Sequence, residues 1–401
     1  MKLTAASLLL ATGCLGTSDF GSTESASTVA DYAGSGCSTS VVIGLSRQIA
    51  EEANCENPGS MVEFPTGGNI TITSNAVLPF LAQGAKDDLV AASASGSLAI
   101  NSALRTVAQQ YLLYRWYQQG RCGITAAATV GHSNHESGRA VDVQNYSSRI
   151  SIMSAHGWKH DVPGDVVHFD HTSTPDLRGR DVLAFQKLWN RNNPGDQIGA
   201  DGAYGPQTEA RLKQSPATGF AQGASCTSTN HTSSAVVASV DGPDRVAPGA
   251  TAHYTLTVRN QGAVDWPSGT RLVIADGQAS VLYDHASWVS PSQVSAMVDS
   301  VPAGTLATFD FDVLAPAATT DTPVYQQLAL ADDTQSYATF DLALTVTGTG
   351  TANSTDSADP EQEITGGCNA AGGGAGGTGG ALLALALVGL VRGRGRTRRA
   401  A

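Results

Sequence analysis

Apolar side chains return at helical intervals in two stretches of the N-terminal half. Val41, Val42, Leu45 and Ile49 lead up to Glu51-Glu52-Ala53-Asn54-Cys55, and Ile100, Leu104, Val107, Tyr111 and Tyr114 step by four and three. Each pattern predicts a helix with one buried face. From 120 to 172 the apolar runs shorten and are punctuated by Gly and Pro, which predicts strands and loops; residues 37–176 therefore read as one α+β domain. Val182, Phe185, Leu188 and Trp189 then share a helical face, Asn193-Pro194-Gly195 ends that helix, and Asp201-Gly202 makes a turn before Pro206 opens another. Residues 177–220 thus form a small helical unit. Between 234 and 347 the period changes to two: His253–Val258, Ala307–Val313 and Ala338–Val346 alternate apolar and polar positions, with turn residues at Pro248-Gly249, Asn260-Gln261-Gly262, Pro302-Ala303-Gly304 and Ala315-Pro316. Half-buried strands separated by such turns predict an all-β, Ig-like sandwich of about 110 residues.

Outside these segments the chain is rich in Ser, Thr, Gly and Ala, which marks 15–36 as a flexible spacer and 221–233 and 348–367 as linkers. A length of 401 residues agrees with more than one domain. The net charge of −12 is softened by arginines clustered after Val391, so the body is more acidic still. Such a surface repels phosphate backbones, and nucleic acid is excluded as a partner. Residues 1–14, MKLTAASLLLATGC, have one Lys, a short apolar run and small residues before Cys14, the layout of a secretory signal. Cys14 and Cys368 fall in the terminal segments, leaving Cys37, Cys55, Cys122 and Cys226 for the exported body. Four cysteines in an oxidising compartment predict two disulfides, with three pairings open.

The chemistry concentrates in two short runs, SNHESGRAVD from Ser133 to Asp142 and DVVHFDH from Asp165 to His171. A mononuclear zinc hydrolase needs three N or O ligands, an open position for water, a carboxylate to take the water's proton, and a cation for the oxyanion. His135 and Asp142 have a spacing that a loop feeding a strand folds onto one ion, with Gly138 giving the backbone freedom between them. His168, on a second strand, supplies the third ligand. Asp165, three residues earlier, is the general base. Ser133 orients the loop by hydrogen bonding, since no Ser-His-acid arrangement surrounds it. His132, His160 and His171 are read as surface or supporting histidines, and Asp170 as a solvated or structural carboxylate.

The order S-x-H-x-x-G-x-A-x-D followed by D-x-x-H-F resembles the LAS zinc peptidases, and in particular the D-alanyl-D-alanine carboxypeptidase branch, peptidase family M15; the likeness runs from about Leu98 to His171. The resemblance implies Zn2+ on His135, Asp142 and His168, with Asp165 as base where many members carry Glu. It also implies a helix-borne oxyanion-binding Arg, which falls on Arg105, with Gln110 beside it toward substrate. The run D-G-x-Y-G-P-x-T in 177–220 resembles the peptidoglycan-binding helical unit often joined to wall hydrolases, with its first helix divergent or supplied by the preceding domain. Arg259–Pro267 looks like the start of bacterial Ig-like spacer domains, which implies a spacer or weak adhesin. Ala11-Thr12-Gly13-Cys14 resembles a lipoprotein box, the alternative being an ordinary signal peptide. Residues 368–401, with Gly366-Gly367-Cys368, an apolar run and an Arg cluster, resemble the myxobacterial C-terminal sorting signal, the alternative being a plain tail anchor.

These features lead to an exported, envelope-tethered zinc peptidase whose partners are peptidoglycan and, through its terminal segments, the membrane. A D,D-carboxypeptidase, a peptidoglycan endopeptidase of the same fold, and a catalytically silent wall-binding or adhesive protein are the competing readings. Metal content separates the last from the first two.

Overall fold

The computed structural model describes residues 27–226 and 235–348. The expected signal segment with Cys14, most of the 221–233 linker and the C-terminal segment with Cys368 lie outside the described residues. Among the described residues no helix is long and apolar enough to cross a membrane.

The N-terminal part is α+β. Its helices are α1 (Val29–Ala33), α2 (Ile43–Glu56), α3 (Gln83–Ser95), α4 (Val107–Gln118), α5 (Ile150–Ala155), α6 (Arg180–Asn192) and α7 (Pro206–Gln214). Its strands are β1 (Val62–Glu63), β2 (Ile70–Ile72), β3 (Phe80–Leu81), β4 (Leu98–Ser102), β5 (Ala140–Val143), β6 (Trp158–Lys159) and β7 (His168–His171). β1 and β3 pair with each other, and the rest form a sheet in the order β2-β4-β5-β7-β6. Successive side chains on a strand point to opposite faces, and the sheet uses this fully. Ile70, Ile72, Ile100, Val141, Val143 and Phe169 face a core closed by Leu89 of α3 and Met153 of α5. Burying one such Phe contributes roughly 1.5–3 kcal/mol, so this apolar face fixes which way the other face looks. The other face carries Ser102, Asp142, His168 and Asp170.

Two expectations are corrected here. The periodicity from Ile100 to Tyr114 is not one helix, because Leu98–Ser102 is a strand hydrogen-bonded to β2 and β5, and the helix begins at Val107. Cross-strand pairing outweighs a chance i, i+4 coincidence between Ile100 and Leu104. The 15–36 spacer ends early, since Val29 is fully buried in α1 and its N–H bonds to the Ser215 carbonyl.

Helices α2, α4, α6 and α7 share one apolar core, which includes Leu45, Ile49, Trp116, Phe185, Trp189 and Leu212. Within 177–220, Gln186 holds the Asp201-Gly202 turn: its Oε1 accepts from both backbone N–H groups at 3.0 and 2.9 Å, and its Nε2 donates to the Asp201 carboxylate at 3.0 Å. Disulfides join Cys37 to Cys122 and Cys55 to Cys226.

The C-terminal part is a sandwich of β8 (Ala235–Asp241), β9 (Arg245–Val246), β10 (Thr251–Asn260), β11 (Arg271–Ile274), β12 (Gln293–Ala296), β13 (Leu306–Leu314), β14 (Thr322–Ala331) and β15 (Ser336–Val346). One sheet runs β13-β10-β8 and the other β12-β11-β14-β15-β9, around a core with Tyr254, Trp266, Phe309 and Phe340. The sandwich packs directly on the N-terminal part. Ala343 of β15 is buried in the core of the first sheet and donates its N–H to the Asn75 side chain at 2.9 Å, and Ser74 donates to Asp244 at 2.8 Å.

Candidate metal centre

The strand register assembles the centre. Asp142 on β5 is paired directly with His168 on β7 on one side and with Ser102 on β4 on the other. Directly opposed residues project from the same face, so three adjacent strands line up Ser102, Asp142 and His168. His135 arrives from a single 3-10 turn, Asn134–Ser137, that precedes β5. That turn is set by a capping box: the Ser133 hydroxyl accepts from the His135 N–H, and the Glu136 carboxylate accepts from the Ser133 N–H at 2.8 Å and the Gly131 N–H at 2.9 Å. Gly138 leaves the turn with φ +71°, a left-handed conformation that other residues adopt only at a cost.

His135, Asp142 and His168 each offer a ligand atom within 4.8 Å of the others, all three side chains being buried, and the group can hold a metal ion. Asp142 Oδ1 lies 3.3 Å from His135 Nε2 and 3.0 Å from His168 Nδ1. His135 Nδ1 is engaged by the Ala103 carbonyl at 2.8 Å, which leaves Nε2 turned to the centre, buried and without a hydrogen-bond partner among the described residues. His168 Nε2 faces Asp170 Oδ1 at 3.2 Å, and Asp170 Oδ2 in turn accepts from Asn134 at 3.1 Å. A carboxylate behind a ligating imidazole fixes its orientation and raises its basicity.

Electrostatics follow from this crowding. Burial pushes the His135 imidazole below its ordinary range. Burial acts the same way on His168, but its hydrogen bonds to Asp142 and Asp170 overcome it and raise the group to about 10. Burial raises Asp142, yet the charges and hydrogen bonds of His135 and His168 hold it well below the usual carboxylate range. A carboxylate ionised between two imidazoles is the arrangement a divalent cation replaces a proton in.

Arg105 is buried beside this centre. Its N–H bonds to the His135 carbonyl at 3.2 Å, Nη1 donates to Gln110 at 3.2 Å and Ser133 at 3.4 Å, and Nη2 donates to Ser102 at 3.2 Å. Gln110 is held by the Ala128 carbonyl at 2.8 Å. Arg105 precedes α4 instead of riding on it, which corrects the helix-borne expectation. Asp165 is buried in the segment entering β7. His171 is buried on the opposite face, clamped between Asp88 at 2.9 Å and Thr174 at 2.7 Å, so it belongs to the core and not to the centre. His132 is exposed, and His160 is half-buried against Tyr146 and Phe169.

Asp170, expected as a solvated or structural carboxylate, is structural, facing His168, and Glu136 supports the centre as well by closing the capping box. Asp170 stands two positions after His168, on the same strand face, and Ser133-x-x-Glu136 is a capping-box spacing; both signals are in the sequence. The part played by Ser102 depends on strand pairing and had no local signal. A cavity of about 1000 Å³ opens in front of the centre, lined there by Ser102, Arg105, Asp142 and Val167.

Comparison with known proteins reaches the sandwich. Residues 239–346 match the family described as "Ig-like domain from next to BRCA1 gene". A search of curated proteins finds no match. Among solved structures, the CARDB domain of the PF1109 protein from Pyrococcus furiosus is similar at 15% identity and a TM-score of 0.22, over 30% of this chain and 93% of that one. AvmM, described as catalysing macrocyclization in alchivemycin A biosynthesis, aligns at 12% identity and a TM-score of 0.21, over 31% and 93%. A β-glucosidase from Listeria innocua aligns at 14% identity and a TM-score of 0.17, over 33% and 18%. TM-scores this low leave function to the geometry of the centre, and the chain is described as a mixed α+β protein with an Ig-like domain.

Proposed function

We propose that this protein is an exported zinc metallopeptidase that hydrolyses peptidoglycan stem peptides, acting as a D-Ala-D-Ala carboxypeptidase. The observation that carries the reading is the convergence of His135, Asp142 and His168, buried and within 4.8 Å, from the two runs whose residues resemble the M15 peptidases. The donor set fits Zn2+: two imidazoles and one carboxylate are a common catalytic ligand set, and His135 Nε2, buried beside Asp142 without a well-formed hydrogen bond, is an atom that such an ion satisfies.

When bound, zinc supplies Lewis acidity that makes water nucleophilic near neutral pH. The chain's own residues do the rest. Asp165 accepts the proton of the attacking water and returns it to the departing amine. Arg105, fixed by Ser102, Ser133 and Gln110, presents its guanidinium to the oxyanion of the tetrahedral state. Asp170 and Ala103 hold the two imidazoles in their ligating orientation. The disulfides support an oxidising compartment, in line with the secretory layout of residues 1–14, and the wall-binding-like helices and terminal segments suit an envelope location with peptidoglycan as partner.

The test is zinc content together with D-Ala release from a stem pentapeptide. Wild type should carry one zinc and release D-Ala; Asp165→Asn should keep zinc and lose about 10²–10⁴-fold in rate; His135→Ala should lose both. Zinc without release from any stem peptide would refute the peptidase, and absence of zinc would favour a binding protein.

A further inference from the structure

The cavity in front of the metal-capable centre is a cleft between the two parts of the chain. Its far wall belongs to the Ig-like sandwich, with Asp241 at the end of β8, Pro243 and Pro323, and its floor is the strand face that carries Ser102 and Asp142. About 1000 Å³ lies between them. That is the upper end of the roughly 300–1000 Å³ typical of ligand pockets, so the cleft has room for a ligand of several residues.

Around the centre Ser102, Ser133 and Gln110 all accept from the Arg105 guanidinium, and farther out Ser74 donates across the cleft to Asp244. Gln144 differs. Val141 and Val143 are buried in the apolar core, and side chains alternate along a strand. Gln144 follows β5 directly, its N–H extends the ladder to the Ala99 carbonyl at 2.8 Å, and its side chain lines the cleft with that of Asp142. The side chain is held in place: Thr73 Oγ1 donates to Asn101 Oδ1 at 2.8 Å, and Asn101 Nδ2 donates to Gln144 Oε1 at 2.8 Å. An amide nitrogen carries two donors, and Gln144 Nε2 donates to no group among the described residues. The relay occupies the oxygen and leaves the nitrogen, exposed on the cleft floor.

Spacing defines what that nitrogen meets. Asp142 and Gln144 are two residues apart, about 6.6 Å at roughly 3.3 Å per residue. An extended peptide has the same repeat, and its carbonyls two residues apart point the same way. With the reacting carbonyl at Asp142, the carbonyl that reaches Gln144 is therefore the second one along. A D,D-carboxypeptidase substrate has one residue beyond the scissile bond, so this carbonyl lies on the amino-terminal side, where it acylates the third residue from the C-terminus. We infer that Gln144, positioned by Asn101 and Thr73, is a specificity-determining residue that donates to this carbonyl, so that the cleft takes an extended acyl-peptide in preference to a shorter one. This rests on the carboxypeptidase reading above and deepens it by naming how much of the peptide is read.

The experiment measures D-Ala release, and binding by calorimetry, on the full chain with N-acetyl-L-Ala-D-Ala-D-Ala and with N-acetyl-D-Ala-D-Ala, which lacks the carbonyl in question. Gln144→Leu should lower affinity and kcat/KM for the longer peptide about threefold to tenfold, the worth of one neutral hydrogen bond, and leave the shorter peptide unchanged. Asn101→Ala, which keeps Gln144 but removes its anchor, should give a smaller loss on the longer peptide alone, and it decides the matter if Gln144→Leu fails to fold. A purely structural role would lower both peptides together. Equal losses on the two peptides, no loss on the longer one, or no binding of either would overturn the inference. A length preference in binding that Gln144→Leu abolishes, without D-Ala release by wild type, would keep the role of Gln144 and remove the peptidase reading; D-Ala release that ignores Gln144 would do the reverse.

Discussion

Gly44→Ala isolates the contact on which the two-part cleft depends. Gly44 lies in the first turn of α2, where a Cβ would stand 2.4 Å from the Ala238 carbonyl oxygen, 2.7 Å from the Ala238 Cα and 2.8 Å from the Thr218 carbonyl oxygen. Carbon contacts settle near 3.5–4.0 Å, so a methyl group would force β8 back by about 1 Å. All three neighbours are backbone, and β8 is held by its ladder to β10, so none can swing aside as a side chain would. Overpacking of this kind costs about 1–3 kcal/mol, and the rigid surroundings argue for the upper end. Replacing a helical Gly by Ala returns about 1 kcal/mol of helix propensity. The net expectation is a loss of about 2 kcal/mol, or roughly 4–8 °C in Tm at about 2–4 °C per kcal/mol. Calorimetry on wild type and variant reads this directly, with D-Ala release measured alongside. A Tm equal to or above wild type would show that propensity wins, and that α2 and β8 are not packed closely enough to fix the cleft wall.

Removing metal with a chelator should lower Tm by the equivalent of about 2.7 kcal/mol relative to protein held at a hundredfold excess of zinc over Kd; His135→Ala should abolish the difference, and an identical Tm with and without zinc in wild type would contradict a resident ion. Cys55 and Cys226 are 171 residues apart, so replacing both with Ser should cost about 2–4 kcal/mol, seen as a lower urea midpoint under non-reducing conditions, and an unchanged midpoint would show that the bridge adds no constraint. Asp181 is fully buried, and burial raises its pKa from 3.8 to about 7, with Glu136 shifted in the same direction by burial and by the Asp181 charge. The folded form therefore holds protons that the unfolded chain has already released, so stability should fall as pH rises from about 4 to about 7 and then level off. In Asp181→Asn, whose amide oxygen still accepts the Val107 N–H, that decline should shrink, and an equal slope in urea titrations at pH 4.5 and 7.5 would reject the assignment.

Local pattern and long-range pairing were unequally visible in the sequence. Val42, Leu45 and Ile49 announce α2, and the long alternations in β10, β13 and β15 announce the sandwich, because each element carries its own burial period. Asp142 and His168 stand out because each interrupts a strand that otherwise faces a core, and His135 because it stands in the Ser133-to-Gly138 turn just before the first of them. By contrast, Leu98–Ser102 becomes a strand only through β2 and β5, which no local rule foresees. Short edges such as β9 and β12 offer too few residues for a period. The union of the two parts was not legible at all: Asn75 meets Ala343, and Gly44 meets Ala238, across spans where the sequence keeps no record of contact. The sandwich side of the cleft was hidden for the same reason.

Because Asp142 and His168 face each other as one rung of the β5–β7 ladder, the ligand set is written into strand alignment. A slip of one residue between these strands would turn Val141 or Phe169 toward the centre and send the carboxylate and imidazole into the apolar core, so the hydrophobic effect itself proofreads the chemistry. The three potential donors are thus arrayed by the fold itself, so that on the function proposed above metal uptake would ask for the loss of protons and water but not for refolding. On the zinc peptidase proposed above, a chain stripped of its ion would stay competent to reload from trace metal. A substitution at Phe169, whose side chain lies in the apolar core on the opposite face, would disturb the centre by loosening the alignment alone.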